Sequence, residues 1–290
     1  MKTLLLRALV CTASLGFTAT ALMAQDPRTP ISALPYDITM QGSYYLTSNL
    51  TANGSGEGIT ISADNVTLDL DGFALVGGGS GQVAGIMVSG THKNIHIKNG
   101  TVRGWTNGGV NAWSAMNSVI QSLRVSNNSA QSTFFNIAAL SIGSQSTVKE
   151  CFVTQNSYCH GIMAGNASLV TNCVASGNSS GAGIKAMDRC YILSNISDSN
   201  GNGITMGAGN RIESNSCTSN VSAGVLVPSG ATNNVITRNT ARSNNPNYNI
   251  ATGNRYGTIA NLTPGGTGAA FGNGAATTIV TTDPWANFAY

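Results

Sequence analysis

Charged side chains are scarce in this sequence: Asp, Glu, Lys and Arg together make up 9% of its 290 residues. The formal net charge is only +3, and without Lys2 and Arg7, which belong to a predicted leader, 12 basic and 11 acidic side chains remain. Proteins that bind nucleic acid need a strong positive field facing the phosphates. The composition therefore disfavours a nucleic-acid partner.

Long apolar runs are absent beyond residue 24, so no later segment is expected to cross a membrane. Residues 1–24 begin with Lys2 and Arg7, continue with a mostly apolar stretch and end in small residues, which is typical of a secretory signal. Cleavage is predicted after Ala21 or Ala24. A membrane anchor is the alternative, but polar residues interrupt the apolar stretch and disfavour a stable span. We therefore predict a secreted, periplasmic or cell-envelope protein.

The sequence is instead rich in repetition. A glycine followed by an aliphatic residue recurs at intervals of 27, 24, 52, 22, 20 and 21 residues. The pairs are Gly58-Ile59, Gly85-Ile86, Gly109-Val110, Gly161-Ile162, Gly183-Ile184, Gly203-Ile204 and Gly224-Val225. The interval of 52 counts as two periods, and we place Asn136-Ile137-Ala138 in the missing slot. Such a repeat indicates one small unit of secondary structure stacked on itself.

A second pattern keeps the same step and has the form aliphatic-x-x-Z-x-small-x-x-Asn, as in residues 212–220. Position Z is filled by Asp71, Gly100, Leu123, Cys151, Cys173, Asn195, Asn215 and Asn239. Each period therefore carries two or three short strands with period-2 alternation, joined by turns rich in Asn, Gly and Ser. We expect the Asn at Z to adopt left-handed backbone geometry and to hydrogen-bond the same amide one coil away.

Together the two patterns predict an all-β fold, a single parallel β-helix of about eight or nine coils stacked about 4.8 Å apart. A leucine-rich repeat has a similar period but needs several Leu and a helical half in each unit, and a propeller blade needs about 40 residues. The predicted segments are an N-terminal cap at 25–57, repeats at 58–252, and a C-terminal loop and capping segment at 253–290. In this last segment we expect Trp285, Phe288 and Tyr290 to fold back over the last coil.

Five cysteines follow the leader, and no pair has Cys-x-x-Cys spacing, so a structural zinc site has no support and no metal or cofactor is expected. Cys151 and Cys173 share position Z one coil apart. Their Cβ atoms should then lie near the strand spacing of about 4.8 Å, which exceeds the roughly 3.8 Å typical of a disulfide. We favour two stacked, buried thiols, while the pairing of the five cysteines stays open. Cys217 is predicted to be a core residue.

Three stretches carry a resemblance to a known family: ITMQGSYYL at residues 38–46, GITISADNVTLDLDG at 58–72 and DPWANF at 283–288. With the repeats between them, they resemble the secreted right-handed parallel β-helix proteins of the pectate-lyase-like superfamily. Within it, the sequence is similar to the broad right-handed β-helix region group, whose repeats also occur in periplasmic NosD-type and carbohydrate-binding and sugar-hydrolase modules. The resemblance implies a right-handed solenoid. It implies no particular activity, because this fold hosts lyases, hydrolases, epimerases, adhesins and scaffolds.

Catalytic residues are not identified by the sequence. A hydrolase of this superfamily would need carboxylates paired across neighbouring coils. The available acids fall in four different columns: Glu150, Asp188, Asp198 and Glu213. A lyase would need calcium-binding carboxylates beside a basic residue, and Asp69 with Asp71 has no further acid nearby. His92 and His96 are better interpreted as surface polar residues than as metal ligands.

One outward-facing column remains as a candidate binding surface. It lies two residues before Z and contains Asp69, Lys98, Gln121, Lys149, Thr171, Leu193, Glu213 and Thr237. We expect His96, Lys98, Gln121 and Lys149 to form a modestly positive stripe. Trp105 and Trp113, in the loops after Lys98, are candidates for stacking on sugars. The alternative is a solvated sheet face whose lysines discourage edge pairing.

Two functions are compatible with these patterns. The first is a non-catalytic secreted β-helix that binds a polysaccharide or a cell-envelope component, or serves as a scaffold. The second is a polysaccharide-active enzyme, either a lyase or a glycoside hydrolase. We favour the first, because no paired carboxylates are in place for acid and base catalysis. Converging carboxylates or a calcium site in the folded chain would favour the enzyme.

Overall fold

The computed structural model describes residues 26–78, 81, 83–130, 137–261 and 281–290. Its elements are short β-strands, and no described residue lies in a helix that could cross a membrane. The strands are β1 Thr29–Ile31, β2 Tyr36–Ile38, β3 Gly42–Leu46, β4 Leu50–Thr51, β5 Ile59–Ile61, β6 Val66–Asp69, β7 Ala74–Val76, β8 Ile86–Val88, β9 His92–Lys93, β10 His96–Arg103, β11 Val110–Ala112, β12 Ala115–Met116, β13 Val119–Ser126, β14 Ala138–Ile142, β15 Thr147–Lys149, β16 Phe152–Thr154, β17 His160–Ala164, β18 Leu169–Thr171, β19 Val174–Ser176, β20 Ala182–Ala186, β21 Tyr191–Leu193, β22 Ile196–Asp198, β23 Asn202–Met206, β24 Arg211–Glu213, β25 Ser216–Thr218, β26 Val225–Val227, β27 Val235–Thr237, β28 Thr240–Arg242, β29 Tyr248–Ile250, β30 Arg255–Tyr256, β31 Ile259–Asn261 and β32 Asn287–Ala289.

All strands but two form two large parallel sheets that wrap around one core, and β9 pairs with β12 in a separate two-stranded sheet. Sheet I has ten strands in the order β2-β5-β8-β11-β14-β17-β20-β23-β26-β29. The other sheet has 20 strands, and the long strands β10 and β13 bend around a corner that divides it into two halves. Half A contains β6, the first part of β10 and β13, then β15, β18, β21, β24 and β27. Half B contains β7, the second part of β10 and β13, then β16, β19, β22, β25 and β28.

Each coil runs through sheet I, half A and half B before the chain returns to sheet I beside its starting strand. Nine such steps separate the ten strands of sheet I. The predicted parallel β-helix of eight or nine coils is therefore confirmed.

The aliphatic residues of the Gly-aliphatic pattern form a ladder inside the core. Each is fully buried: Ile59, Ile86, Val110, Leu140, Ile162, Ile184, Ile204 and Val225. Burying one such side chain contributes about 1.5–3 kcal/mol, and the repeat places one in every coil. The missing slot was wrongly placed at Asn136-Ile137-Ala138, because strand register puts Ala139-Leu140 there, with Leu140 opposite Val110 and Ile162.

The glycine of that pattern is required by a close approach. A Cβ atom added at Gly161 would lie 2.8 Å from Asn178 Nδ2 and 2.6 Å from the carbonyl oxygen of Gly183. Asn178 belongs to a buried ladder of amides that runs along the corner between half B and sheet I: Asn128, Asn156, Asn178, Asn200, Asn220 and Asn244. The two sequence patterns thus meet in space, the glycine making room for the terminal Asn.

Position Z forms a second amide ladder at the corner between halves A and B. The Nδ2 atoms of Asn195, Asn215 and Asn239 each donate to the Oδ1 atom of the next Asn, at 3.0, 3.0 and 3.1 Å, the last acceptor being Asn287. The predicted amide stacking is therefore confirmed and extends beyond the repeats. The expected left-handed geometry belongs instead to the preceding residue, as in Ser194 and Ser214, both with φ of 57°.

Asp71 was wrongly assigned to this ladder. It is itself the left-handed residue of its turn, with φ of 51°, and its side chain is 39% exposed. Leu70 holds the inward place instead, since a Cβ atom added at Gly100 would collide with it. The turn between β6 and β7 is two residues longer than the matching turn within β10. This extra length moves Asp71 out of the ladder position.

All five cysteines of the described residues are buried free thiols: Cys151, Cys159, Cys173, Cys190 and Cys217. Cys151 and Cys173 continue the Z ladder, and each Sγ atom donates to a backbone carbonyl, of Lys149 and Thr171 respectively, at 3.2 Å. The two stacked thiols thus replace the Asn amides as small side chains with a weak donor.

Strands also extend into both end segments. β2 pairs with β5 and β3 pairs with β6, so residues 36–46 already follow the coil pattern. At the other end β32 pairs with β28, and the backbone N–H of Tyr290 donates to Ala241. The segment boundaries proposed above stay predictions, and the leader with its cleavage sites lies outside the described residues.

Candidate functional site

The predicted outward column on half A is assembled as the sequence indicated. Strand pairing aligns Asp69, Lys98, Gln121, Lys149, Thr171, Leu193, Glu213 and Thr237 in one line across consecutive coils. His96 lies two residues before Lys98 on the same strand, β10. The register of the candidate stripe is therefore correct.

Its electrostatics differ from the expectation. Lys98 Nζ lies 3.2 Å from Asp69 Oδ2, and Gln121 Nε2 donates to Glu150 Oε2 at 3.0 Å. Burial, reinforced by the nearby Lys98, lowers the pKa of His96, so this ring is neutral at pH 7. Most of the charge in the column is thus neutralised internally, and Lys149 is left as its principal cation.

Asp69 is the anchor of this neutralised region. Burial acts to raise the pKa of its carboxyl, but the backbone N–H of Asp71 and the ammonium of Lys98 outweigh burial and hold the pKa below its usual value. Arg28 adds a longer contact, with its guanidinium 3.6 Å from both Asp69 and Asp71. These carboxylates are therefore committed to intramolecular ion pairs.

The two candidate tryptophans have opposite environments. Trp105 was wrongly expected at the surface: its side chain is 1% exposed, and a Cβ atom added at Gly58 or Gly85 would collide with its ring. Its backbone N–H donates to Asn128 Oδ1, so Trp105 occupies the slot that precedes the amide ladder. The sequence did indicate this burial, because Trp105 stands at the final position of the second pattern, where other repeats have their terminal Asn. Trp113 is 39% exposed and can contact a ligand.

Trp113 borders a groove on the outer face of sheet I, with a volume of about 110 Å³. The lining residues are Asn107, Asn111, Trp113, Ile137, Ala138, Ser141 and Met163. Asn111 Oδ1 accepts hydrogen bonds from the Ser141 hydroxyl at 3.2 Å and from the Trp113 backbone N–H at 3.3 Å. These bonds fix the orientation of the Asn111 amide beside the indole ring.

An aromatic ring beside a fixed amide and a hydroxyl offers an apolar surface together with hydrogen-bonding groups. Such a combination suits a ligand that has an apolar face and many hydroxyls. Sequence reasoning missed Asn111, Ser141 and Met163. The sequence did contain a signal for these residues. Each follows the aliphatic residue of the first pattern, and side-chain alternation along a strand points that position outward from sheet I.

The acids and histidines do not assemble a metal site: among the residues described, no group of three potential metal ligands is present. Asp188 Oδ1 accepts from the Ala208 backbone N–H, and Asp198 Oδ2 accepts from the Ser176 hydroxyl. Glu213 is held by Arg211 and Tyr191 on half A.

Residues 84–282 match the family described as right handed beta helix region, and the chain belongs to that family. The right-handed solenoid implied by the resemblance is thereby confirmed. No curated protein sequence matches the chain.

Two solved structures are similar in fold. The Dettilon tailspike protein has a TM-score of 0.56 at 13% identity, with 74% of this chain and 46% of the tailspike covered. Pectate lyase Pel9A has a TM-score of 0.54 at 13% identity, with 78% of this chain and 68% of the lyase covered. The chain thus spans less than half of the tailspike. At these identities the likeness concerns the fold alone.

Proposed function

We propose that this protein binds an extended polysaccharide along the outer face of sheet I without cleaving it. The observation that carries the proposal is the exposed Trp113 ring beside the fixed amide of Asn111 and the hydroxyl of Ser141. Indole rings stack on the apolar faces of sugars, and amides with hydroxyls hydrogen-bond sugar hydroxyls. Because coils repeat at about 4.8 Å, successive sugars of an extended chain can meet equivalent positions on successive strands.

Several features support this face over half A. On half A the Lys98 ammonium is paired with Asp69. The Trp105 ring, expected beside that stripe, lies in the core at the corner between half B and sheet I. Sheet I retains an exposed aromatic ring and a groove. The stripe of His96, Lys98, Gln121 and Lys149 therefore becomes the alternative binding surface, to be tested by substitution of Lys149.

The location proposed for this activity is outside the cytoplasm, in the secreted or cell-envelope fraction, after cleavage near Ala21 or Ala24. A polysaccharide or cell-envelope component is the corresponding partner. Intact mass of the protein from an export-competent host measures the cleavage point directly. A retained Met1 on protein recovered from the cytoplasm would contradict this location.

Binding is tested by affinity electrophoresis against a panel of neutral and acidic polysaccharides. Replacement of Trp113 by Ala should weaken binding at least about tenfold, because exposed tryptophans at contact centres carry much of the binding energy. Trp285→Ala is the matched control, since Trp285 is also exposed but lies in the C-terminal segment. Equal binding by wild type and Trp113→Ala would contradict the groove as the site.

Cleavage is measured on the same panel through new reducing ends and unsaturated products. We expect none. Turnover by the wild type that is lost in Asp188→Asn or Glu213→Gln would establish the enzyme and overturn the non-catalytic part of the proposal.

A further inference from the structure

Cys151 and Cys173 lie one above the other inside the solenoid. Strand register aligns Lys149 with Thr171 just before them, so the two cysteines are at equivalent points of consecutive coils. Cys151 Sγ lies 3.2 Å from the carbonyl oxygen of Lys149, and Cys173 Sγ lies 3.2 Å from that of Thr171. Because each Sγ also lies 3.8 Å from a carbonyl oxygen of the preceding coil, the two side chains have the same orientation.

The spacing of the two thiols matches a bridging metal ion better than a disulfide. Adjacent parallel strands hold equivalent Cβ atoms about 4.8 Å apart, whereas a disulfide needs about 3.8 Å. Since the side chains have the same orientation, their Sγ atoms keep the strand spacing. A metal–thiolate bond is about 2.3 Å long in zinc sites, so two such bonds in a straight line span about 4.6 Å. An ion between the Sγ atoms therefore joins the coils without drawing their strands together.

The number of ligands selects among metal ions. On the adjoining coils position Z is filled by Leu123 and Asn195, and Asn195 Oδ1 already accepts from the Cys173 backbone N–H at 2.9 Å. The ladder thus offers two thiols in a line. Zinc takes four ligands in structural sites, so two thiolates do not complete a zinc site. Soft ions with a filled d shell, such as Cu(I) and Hg(II), form linear complexes with two thiolates.

Charge balance decides between these two ions. The nearest inward-pointing residues of the two coils are aliphatic and fully buried: Val148, Val153, Val170 and Ala175. Two thiolates around Cu(I) carry a net negative charge, whereas two thiolates around Hg(II) form a neutral complex. An uncompensated charge is costly to bury in apolar surroundings, so the neutral complex is favoured here.

We propose that Cys151 and Cys173 form a buried two-coordinate site for a soft divalent metal ion, Hg(II), which joins two coils as a neutral bis-thiolate. Each thiol releases its proton to solvent, two sulfur–metal bonds form, and no electron is transferred. The weak S–H contacts to the carbonyls are lost, but the Thr171 carbonyl still accepts from the Glu150 backbone N–H at 3.2 Å. Because both thiols are buried, the ion enters as the chain folds or when coils open. The site is independent of the proposed glycan groove.

Retention of mercury against a competing monothiol tests the site. The reduced protein is refolded with one equivalent of Hg(II) and dialysed against excess glutathione, and the metal per chain is measured by native mass spectrometry. A single cysteine loses the ion to the competitor, whereas two thiols held together act at a high effective concentration. Wild type should retain one mercury ion with two sulfur neighbours by X-ray absorption, and its unfolding midpoint in urea should rise. Zn(II) in the same protocol should not be retained.

Single substitutions locate the ligands. Cys151→Ser and Cys173→Ser each leave one thiol of the pair and should lose the mercury. Cys190→Ser is the matched control, because Cys190 is a buried thiol in an equivalent ladder whose neighbours one coil away are Ser168 and Asn210. It should retain mercury as wild type does. Urea unfolding midpoints of the metal-free variants establish that they fold.

A triple variant keeps the test decisive if a single variant fails to fold. Cys159→Ala, Cys190→Ser and Cys217→Ala together leave the pair as the only cysteines after the leader, and this protein should still retain one mercury ion. Release of mercury by wild type or by the triple variant would overturn the inference. Retention by folded Cys151→Ser or Cys173→Ser would overturn it as well. Binding at the Trp113 groove is measured separately and is unaffected by these outcomes.

Discussion

Asn215 illustrates how a single residue stabilises this fold. Its Nδ2 atom donates to the backbone carbonyls of Ile192 and Glu213 at 2.9 and 3.0 Å and to Asn239 Oδ1 at 3.0 Å. Its Oδ1 atom accepts from the backbone N–H and the Nδ2 of Asn195. The amide therefore satisfies buried groups on three consecutive coils.

Replacement of Asn215 by Leu should lower the free energy of unfolding by about 3 kcal/mol, because several buried donors and acceptors lose their partners together. Asn249→Leu makes the same chemical change at an exposed position of sheet I and should alter the free energy of unfolding by less than about 0.5 kcal/mol. Denaturant unfolding measures both values. A loss at Asn215 no greater than at Asn249 would show that the ladder contributes little.

Position Z was predictable as a column, but its backbone geometry was not. The amide stacking follows from identical spacing in successive coils. The assignment of left-handed geometry to the Asn itself failed, because the corner turn places that conformation one residue earlier, at Ser194 and Ser214. A repeat identifies equivalent residues without giving their dihedral angles.

At the scale of the strand, Glu213 ties neighbouring coils together on half A. Its carboxylate accepts from the Tyr191 hydroxyl on the preceding coil and from Arg211 on its own strand, at 3.0 and 2.9 Å. Arg238 approaches from the following coil at 3.2 Å, and its guanidinium lies 4.2 Å from the Trp285 ring. One carboxylate therefore links three coils and the C-terminal segment.

The hydrogen bond from Arg211, with help from Tyr191 and Arg238, lowers the pKa of Glu213. A carboxyl whose folded-state pKa is depressed stabilises the fold above its unfolded value of about 4.3, and this contribution is lost as the pH falls through the folded-state pKa. Glu213→Gln should therefore be less stable than wild type by about 1–3 kcal/mol near pH 7. The difference should shrink towards pH 3.

Urea unfolding at a series of pH values measures this difference. Asp37→Asn is the control, since Asp37 is exposed on β2, and it should stay within about 0.5 kcal/mol of wild type near pH 7. A Glu213→Gln deficit that is constant from pH 7 to pH 3 would mean that the contribution comes from packing and not from the carboxylate charge.

Strand register was predictable wherever turns keep their length. The column from Lys98 to Thr237 was predicted correctly because, in each of these coils, the column residue lies two positions before Z. The error at Asp71 lies within a turn that is longer than its equivalents, and the error at Asn136-Ile137-Ala138 lies in a longer connection between β13 and β14; a different length shifts the phase. Alternation within a strand cannot be carried across such a turn.

At the scale of the whole molecule, the sequence predicts the solenoid better than it predicts the binding face. All outward columns share the same period, so periodicity cannot distinguish a groove from a flat surface. The groove depends on the Trp113 side chain after β11 and on its contacts with the neighbouring coil, which are tertiary features. Trp105 shows the converse, since its place in the second pattern did indicate the core.

A β-helix has contacts only between neighbouring coils, so its stability is distributed along the axis and its ends are the first coils to open. The reactivity of the five buried thiols measures the local opening of coils at different points along the chain. Burial raises the pKa of Cys159 and of Cys217 to about 12, so in the folded state both are protonated and poorly nucleophilic at pH 8.

Alkylation at pH 8 should therefore be negligible in buffer and should become measurable in denaturant below the unfolding midpoint. Cys217 should react first, because β25 lies within two coils of the C-terminal strand β32, and Cys151 and Cys159 should react last, near the middle of the solenoid. Peptide mass spectrometry after timed labelling gives the five rates separately. Equal rates at all five positions would mean that all coils open together. The expectation that the end coils open first would then be wrong for this protein.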